Sequence, residues 1–175
     1  MQQLELEKTY LTKYIPKGIA NSKKIEVVDI YIPINREHSK LRIRKNGDKY
    51  EITKKIQLDK NNASQQTEHT ISLDSEEYAV LASIPGRKVE KNRYYYDYQG
   101  KVAEIDVFKG DLAGLVLVDF EFDTVEELEN FTLPNFCLAD VTQEEFIAGG
   151  KLCGKTYKEI EYKLKIFNYS QLTLA

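Results

Sequence analysis

The chain has 175 residues, enough for one domain with a substantial core. Its net charge of −3 gives no global pull toward nucleic acid or an anionic membrane, and no apolar run approaches the ~20 residues of a membrane-spanning helix. Cys137 and Cys153 are too few and too loosely spaced for a disulfide framework or a zinc site, and are expected to be reduced structural thiols. The polar, acidic start lacks the features of a secretory signal, so a cytoplasmic location is expected.

The first predicted strand covers residues 4–11. Glu5 and Glu7 alternate there with Leu4 and Leu6. A strand sends successive side chains to opposite faces, so the two carboxylates share one face about 7 Å apart. Leu4, Leu6 and Leu11 are expected on the opposite face, packed against helices. Residues 25–32 form the next strand, which carries Tyr31. Residues 41–45 and 50–57 read as a hairpin turning at Asn46-Gly47-Asp48. Arg42 and Arg44 share a face of its first strand; Glu51, Thr53 and Lys55 share a face of its second, with Lys54 pointing away. Residues 59–66 (DKNNASQQ) read as a polar loop before a strand at 66–73, on which His69 faces outward.

Asp74 and Glu77 form a capping box for a short helix. Residues 89–98 and 101–108 make a second hairpin, turning at Gln99-Gly100. Lys91 and Arg93 share a face of its first strand; on its second, Glu104 and Asp106 alternate with Ala103, Ile105 and Val107. The glycines at 110 and 114 mark turns and make no phosphate loop. In the last predicted strand, 115–122, Asp119 and Glu121 alternate with Val118, Phe120 and Phe122. Thr124 with Glu127 starts a helix around 125–131. Thr142 with Glu145 starts another, ended by Gly149-Gly150, and residues 156–166 have helical spacing.

Eight strands and a few peripheral helices predict an α+β protein, a single domain over residues 1–175, built on an eight-stranded antiparallel β-barrel. Acidic and basic strands would then face one another across a polar interior. Burying so many charges is costly unless they are paired, hydrated or metal-bound, which points to a water-filled cavity. Carboxylates suit hard cations such as Mg²⁺ or Mn²⁺, and guanidinium groups bind phosphate oxygens bidentately. The bland alternatives are solvated strand faces and interstrand ion pairs. A nucleic-acid-binding barrel is disfavoured by the modest charge and the lack of an RNA-recognition signature.

From Glu5 to about Lys151 the chain resembles the CYTH family, the triphosphate tunnel metalloenzymes. The resemblance is carried by Glu5-Leu6-Glu7-Lys8-Thr9, by Leu41-Arg42-Ile43-Arg44, by Lys55, and by Lys91-Asn92-Arg93-Tyr94. Its most specific part is Glu104-Ile105-Asp106-Val107-Phe108 followed by Asp119-Phe120-Glu121. It implies a tunnel in which Arg42, Arg44, Lys55, Lys91, Arg93 and Tyr31 bind a triphosphate-containing small molecule. Glu5, Glu7, Glu104, Asp106, Asp119 and Glu121 hold Mg²⁺ or Mn²⁺, and Glu5, Glu7, Arg44 and Lys55 take part in catalysis. The implied activity is metal-dependent triphosphate hydrolysis by a monomer or homodimer, without membrane or nucleic acid as partner. The alternatives are a non-catalytic polyphosphate or nucleotide sensor and an adenylate cyclase. Two positions depart from the family pattern. Thr9 stands where the family has lysine, and Gln66 where it often has arginine; Lys151 is a candidate for a compensating cation.

Overall fold

The computed structural model describes residues 2–59 and 61–174. Nine strands are present: β1 (Gln2–Thr12), β2 (Lys23–Ile32), β3 (Leu41–Asn46), β4 (Lys49–Asp59), β5 (Asn62–Leu73), β6 (Arg87–Tyr98), β7 (Lys101–Phe108), β8 (Val116–Phe122) and β9 (Cys137–Asp140). The helices are α1 (Ser75–Ala82), α2 (Val125–Asn130), α3 (Gly149–Leu152) and α4 (Tyr157–Leu164). All pairings are antiparallel, and β1 joins both β8 and β5. The first eight strands therefore close into the expected barrel, in the ring order β1-β5-β4-β3-β2-β6-β7-β8. No helix among the described residues is long and apolar enough to cross a membrane.

Local chemistry explains the main elements. The β6–β7 turn places Gln99 and Gly100 at φ 55° and 81°, the left-handed pair that a two-residue hairpin needs. The Asp74–Glu77 capping box forms, and an unforeseen one at Thr156–Glu159 opens α4. The Thr124 hydroxyl caps α2 by accepting from the Glu127 N–H.

Three expectations fail. The polar stretch 59–66 is mostly strand: Asp59 pairs with Asn62 and Gln57 with Gln66, making a long hairpin whose Lys60 lies outside the described residues. Thr142 caps no helix; its hydroxyl accepts the Thr9 N–H (3.1 Å) and bonds Asp140, followed only by a 3-10 turn at Glu145–Ile147. Gly149-Gly150 begin α3, where they had been expected to end a helix.

The two faces of the barrel wall carry separate cores. Outside, Leu6, Tyr10, Ile105, Val118 and Phe120 pack beneath Leu128, Phe131 and Phe136. Fully burying such a side chain contributes about 1.5–3 kcal/mol. Inside, at one end, Leu11, Tyr31, Val89, Phe108 and Leu117 meet Val141, Ile147 and Leu152. Leu11 thus shares the inward face with Glu5, Glu7 and Thr9, as period-2 alternation demands, while Leu4 is exposed; the leucines do not act as one outer stripe.

The segment 141–154 closes that end. On one side the Val141 N–H donates to the Thr9 carbonyl of β1 (2.9 Å), and the Gln143 side chain accepts the Ala63 N–H of β5 (2.9 Å). On the other, Gly149 lies against Tyr31 of β2 and the Gly154 N–H donates to the Lys88 carbonyl of β6 (3.4 Å). Strands β1 and β2 stand opposite each other in the ring, so the segment crosses the mouth. The glycines permit this approach: a Cβ on Gly149 would collide with the Tyr31 hydroxyl, and one on Gly150 with the Ser39 carbonyl.

Candidate active site

The barrel encloses a cavity of about 860 Å³. Each strand brings its inward set to the wall: Glu5, Glu7 and Thr9 from β1, Asp29 and Tyr31 from β2, Arg42 and Arg44 from β3. Glu51 and Lys55 come from β4, Lys91 and Arg93 from β6, Glu104 and Asp106 from β7, and Asp119 and Glu121 from β8. Every residue expected to bind triphosphate, hold metal or take part in catalysis therefore faces this one space, whereas Lys151, the candidate compensating cation, does not line it. Asp29 and the closing segment, including Glu144 and Glu145, were not anticipated. Asp29 was legible by parity, two residues before Tyr31 on the same face. The closing segment has no periodic signal, because its path is set by contacts to strands distant in sequence.

The charges form three groups. In the first, Lys55 sits among carboxylates, with Nζ 2.5 Å from Glu5, 3.3 Å from Glu7 and 3.7 Å from Glu68. Burial alone would lower the Lys55 pKa, but Glu7 and Glu5 outweigh it and hold the ammonium firmly charged. Gln66, one of the two positions that depart from the family pattern, donates its side-chain N–H to Glu7 (3.0 Å) and so buttresses a carboxylate. Arg42 reaches Glu68 at 3.5 Å, and its buried Nε has no hydrogen-bond partner among the described residues.

The second group is two buried arginine–aspartate pairs. Arg44 donates Nε–H and Nη2–H to Asp29 (2.6 and 2.8 Å), and Arg93 donates the same two groups to Asp106 (both 2.7 Å). Lys91 also bonds Asp106. Burial would raise both aspartates, but the cations prevail: Arg44 holds Asp29 well below the usual carboxylate range, and Arg93 with Lys91 holds Asp106 at about 2.

The third group behaves oppositely. Burial, with Asp119 and Glu121 adding to it, pushes Glu104 up to about 7 despite its contact with Arg93. Burial and neighbouring carboxylates also raise Asp119 and Glu121. The Thr9 hydroxyl, in the place of the family's lysine, donates to Asp119 at 2.7 Å. Lys151 faces the rim, paired with Glu37 (2.7 Å) and Glu145 (3.4 Å), and adds no cation to this group.

On the described wall, carboxylates outnumber lysines and arginines by eleven to six. A cavity so acidic repels a polyanion unless further positive charge enters with it. The unmet demand is concentrated at Glu104, Asp119 and Glu121, facing Glu5 and Glu7 through the register Glu7↔Glu121 and Thr9↔Asp119. All the donors are oxygen, which suits a hard divalent cation. No three carboxylates among the described residues converge at ligand distance, so such an ion would keep part of its water shell, as Mg²⁺ characteristically does. The donor chemistry of these residues suits a divalent metal, though they form no ready-made three-carboxylate site among the described residues. Elsewhere, Cys137 and Cys153 are buried and unpaired, and burial pushes the Cys137 thiol up to about 12, so neither offers a reactive thiolate.

The family model for the CYTH domain matches residues 7–144. An inorganic triphosphatase of Nitrosomonas europaea is 29% identical over 143 residues, covering 81% of this chain and 91% of the relative. A crystal structure of an inorganic triphosphatase superposes with a TM-score of 0.61 at 26% identity, covering 85% of this chain and 93% of that one. A putative adenylate cyclase from Bacillus halodurans shares the fold at a TM-score of 0.57, with 15% identity over 99% of this chain and 95% of that one.

Proposed function

Because the chain belongs to the CYTH domain family, we propose that it hydrolyses a triphosphate inside the barrel with the help of a divalent metal. The observation that carries this reading is one cavity whose wall sets lysines and arginines beside Glu104, Asp119 and Glu121, carboxylates that burial and neighbouring carboxylates push up. Arg42, Arg44, Lys55, Lys91 and Arg93 bind the triphosphate, with Tyr31 at the closed end. Glu5, Glu7, Glu104, Asp119 and Glu121 supply oxygens to Mg²⁺ or Mn²⁺, which when bound neutralises phosphoryl charge.

Hydrolysis breaks the terminal P–O–P bond as water attacks in line, and the shortened phosphate chain leaves. Charge builds on the bridging and equatorial oxygens, and the fixed guanidinium groups and the Lys55 ammonium stabilise it without reorganising. Enclosure by the barrel keeps the reacting groups aligned and limits competing water. With the segment 141–154 across one end of the barrel, Asn46, Glu51, Tyr95 and Glu121 are among the cavity residues carried by other parts of the strands. A substrate enters from the end away from that segment, phosphate-first, and any organic group stays at that end.

A second reading, a polyphosphate sensor without turnover, is favoured by Thr9, which donates to Asp119 and carries no charge. The deciding experiment measures phosphate release from tripolyphosphate, ATP and thiamine triphosphate in Mg²⁺ and in Mn²⁺. Metal-dependent release is expected, and the best substrate names the activity. Tight binding with no release under either metal would replace the hydrolase with the sensor. Cyclic AMP and pyrophosphate from ATP would replace it with a cyclase.

A further inference from the structure

The two arginine–aspartate pairs are built alike. Asp29 stands directly across from Arg44 in the β2–β3 register, and Asp106 directly across from Arg93 in the β6–β7 register. In both, the aspartate takes the side of the guanidinium formed by Nε and Nη2. A guanidinium has five N–H groups in one plane. Side-on pairing uses two of these. In Arg44 it leaves three at the Nη1/Nη2 end, a fork of the shape that grips a phosphate. In Arg93 the same end meets Glu104 through Nη1 and lies 3.5 Å from Asp119 through Nη2, carboxylates that an entering phosphate would displace. Arg42, the third arginine on the wall, has no aspartate across from it: it stands opposite Tyr31, with which it shares a side-chain hydrogen bond, and reaches Glu68 at 3.5 Å. Asp29 is 3% exposed and Asp106 1%, so neither presents a free oxygen to the cavity as a carboxylate awaiting a metal does.

Building on the proposed function, we infer that Asp29 and Asp106 are positioning residues that hold Arg44 and Arg93 side-on for the triphosphate, and that neither is a metal ligand. This separates Asp106 from Glu104, two residues earlier on the same face. It also gives Asp29 a role where sequence reasoning gave it none. Without the clamp, each arginine regains rotamer freedom and must be ordered by the substrate, which weakens substrate binding more than the chemical step.

The test compares wild type with Asp29→Asn and Asp106→Asn. Mn²⁺ binding is measured calorimetrically on the free protein, and KM and kcat on tripolyphosphate. Mn²⁺ affinity is expected to fall by no more than the roughly tenfold that losing one negative charge about 7 Å away costs, while KM rises roughly ten- to a hundredfold, the usual range for losing a charge-assisted hydrogen bond. Asp29→Asn added to Arg44→Lys should change KM little, because lysine has no side-on edge to clamp. Loss of Mn²⁺ affinity with KM unchanged would make the aspartate a metal ligand and overturn the inference, as would equal KM values in variant and wild type. Wild type that neither binds nor hydrolyses tripolyphosphate would bring down the proposed function itself.

If a variant does not fold, the wild-type protein labelled with ¹⁵N-arginine supplies the answer. The Nε–H resonances of Arg44 and Arg93, assigned by their disappearance in Arg44→Lys and Arg93→Lys, should persist, nearly unshifted, when tripolyphosphate is added. Their exposure or large displacement on binding would show that phosphate replaces the aspartates, and would refute the clamp.

Discussion

Replacing Lys55 by methionine tests the electrostatic logic of the cavity, because its two expected effects have opposite signs. The ammonium lies 2.5 Å from Glu5 and 3.3 Å from Glu7, the carboxylates proposed to hold the metal. A divalent ion held by the same carboxylates would stand roughly 6 Å from Nζ. At that distance, a double and a single charge repel by about 1.4 kcal/mol even at the dielectric of bulk water. The aliphatic methionine keeps the stem's packing and removes this repulsion, so Mn²⁺ should bind the free variant about tenfold more tightly or better.

Triphosphate should bind the variant more weakly, because one charge-assisted contact is lost, at a cost of about 1.5–3 kcal/mol. Calorimetric Mn²⁺ titration reads the first effect, and KM for tripolyphosphate at saturating metal reads the second. Unchanged or weakened Mn²⁺ binding would show that Glu5 and Glu7 hold Lys55 for structural reasons and take no metal.

Thr9→Lys should act in the reverse sense, weakening Mn²⁺ binding by about tenfold through the same repulsion; an unaltered titration would place the metal away from Asp119. Gly150→Ala forces a Cβ into the Ser39 carbonyl, and should cost about 1–3 kcal/mol, read as a lower Tm. An unchanged Tm would mean that the closing segment is not seated against the barrel as described. The Asp29 carboxyl, held low by Arg44, stabilises the fold fully above the unfolded value of about 3.9, and that contribution is lost as the pH falls below it. Wild type should therefore lose Tm between pH 5 and pH 2 more steeply than Asp29→Asn. At pH 7 the variant should be less stable by about 3–5 kcal/mol, since Arg44 is left buried and unpaired. Parallel acid profiles would remove Asp29 from the acid transition.

Alternation made most of the barrel legible. The start and end of each of the eight strands fall within a few residues of the sequence expectation, and parity gives the charged inward residues of most strands, though Asp29 on β2 was missed and Leu11 was assigned to the wrong face. Strand β9 was missed because four residues, Cys137–Asp140, are too few to show a period, and its pairing with the end of β1 is a tertiary fact. Residues 59–66 were misread because polar composition reports what side chains meet and says nothing of whether the backbone is paired. Gly149-Gly150 carry a helix-stop signal, but the fold uses them for close approach to Tyr31 and Ser39, and composition cannot separate those two uses.

Parity also has a limit inside the site. It places Glu104 and Asp106 on the same face of one strand and makes them equivalent, yet one is pushed up to about 7 and the other held at about 2. Register separates them. Asp106 lies opposite Arg93 on one neighbouring strand, while Glu104 lies opposite Asp119 on the other. A carboxylate facing a guanidinium is neutralised by it, and one facing another carboxylate is left needing a cation. The same rule joins Asp29 to Arg44 and sets Glu7 against Glu121. The proposed division of the wall into clamps for arginine and oxygens for a metal therefore follows from how the strands are paired. It emerges only when the eight strands are aligned residue by residue, because each short charged motif alone is compatible with either role.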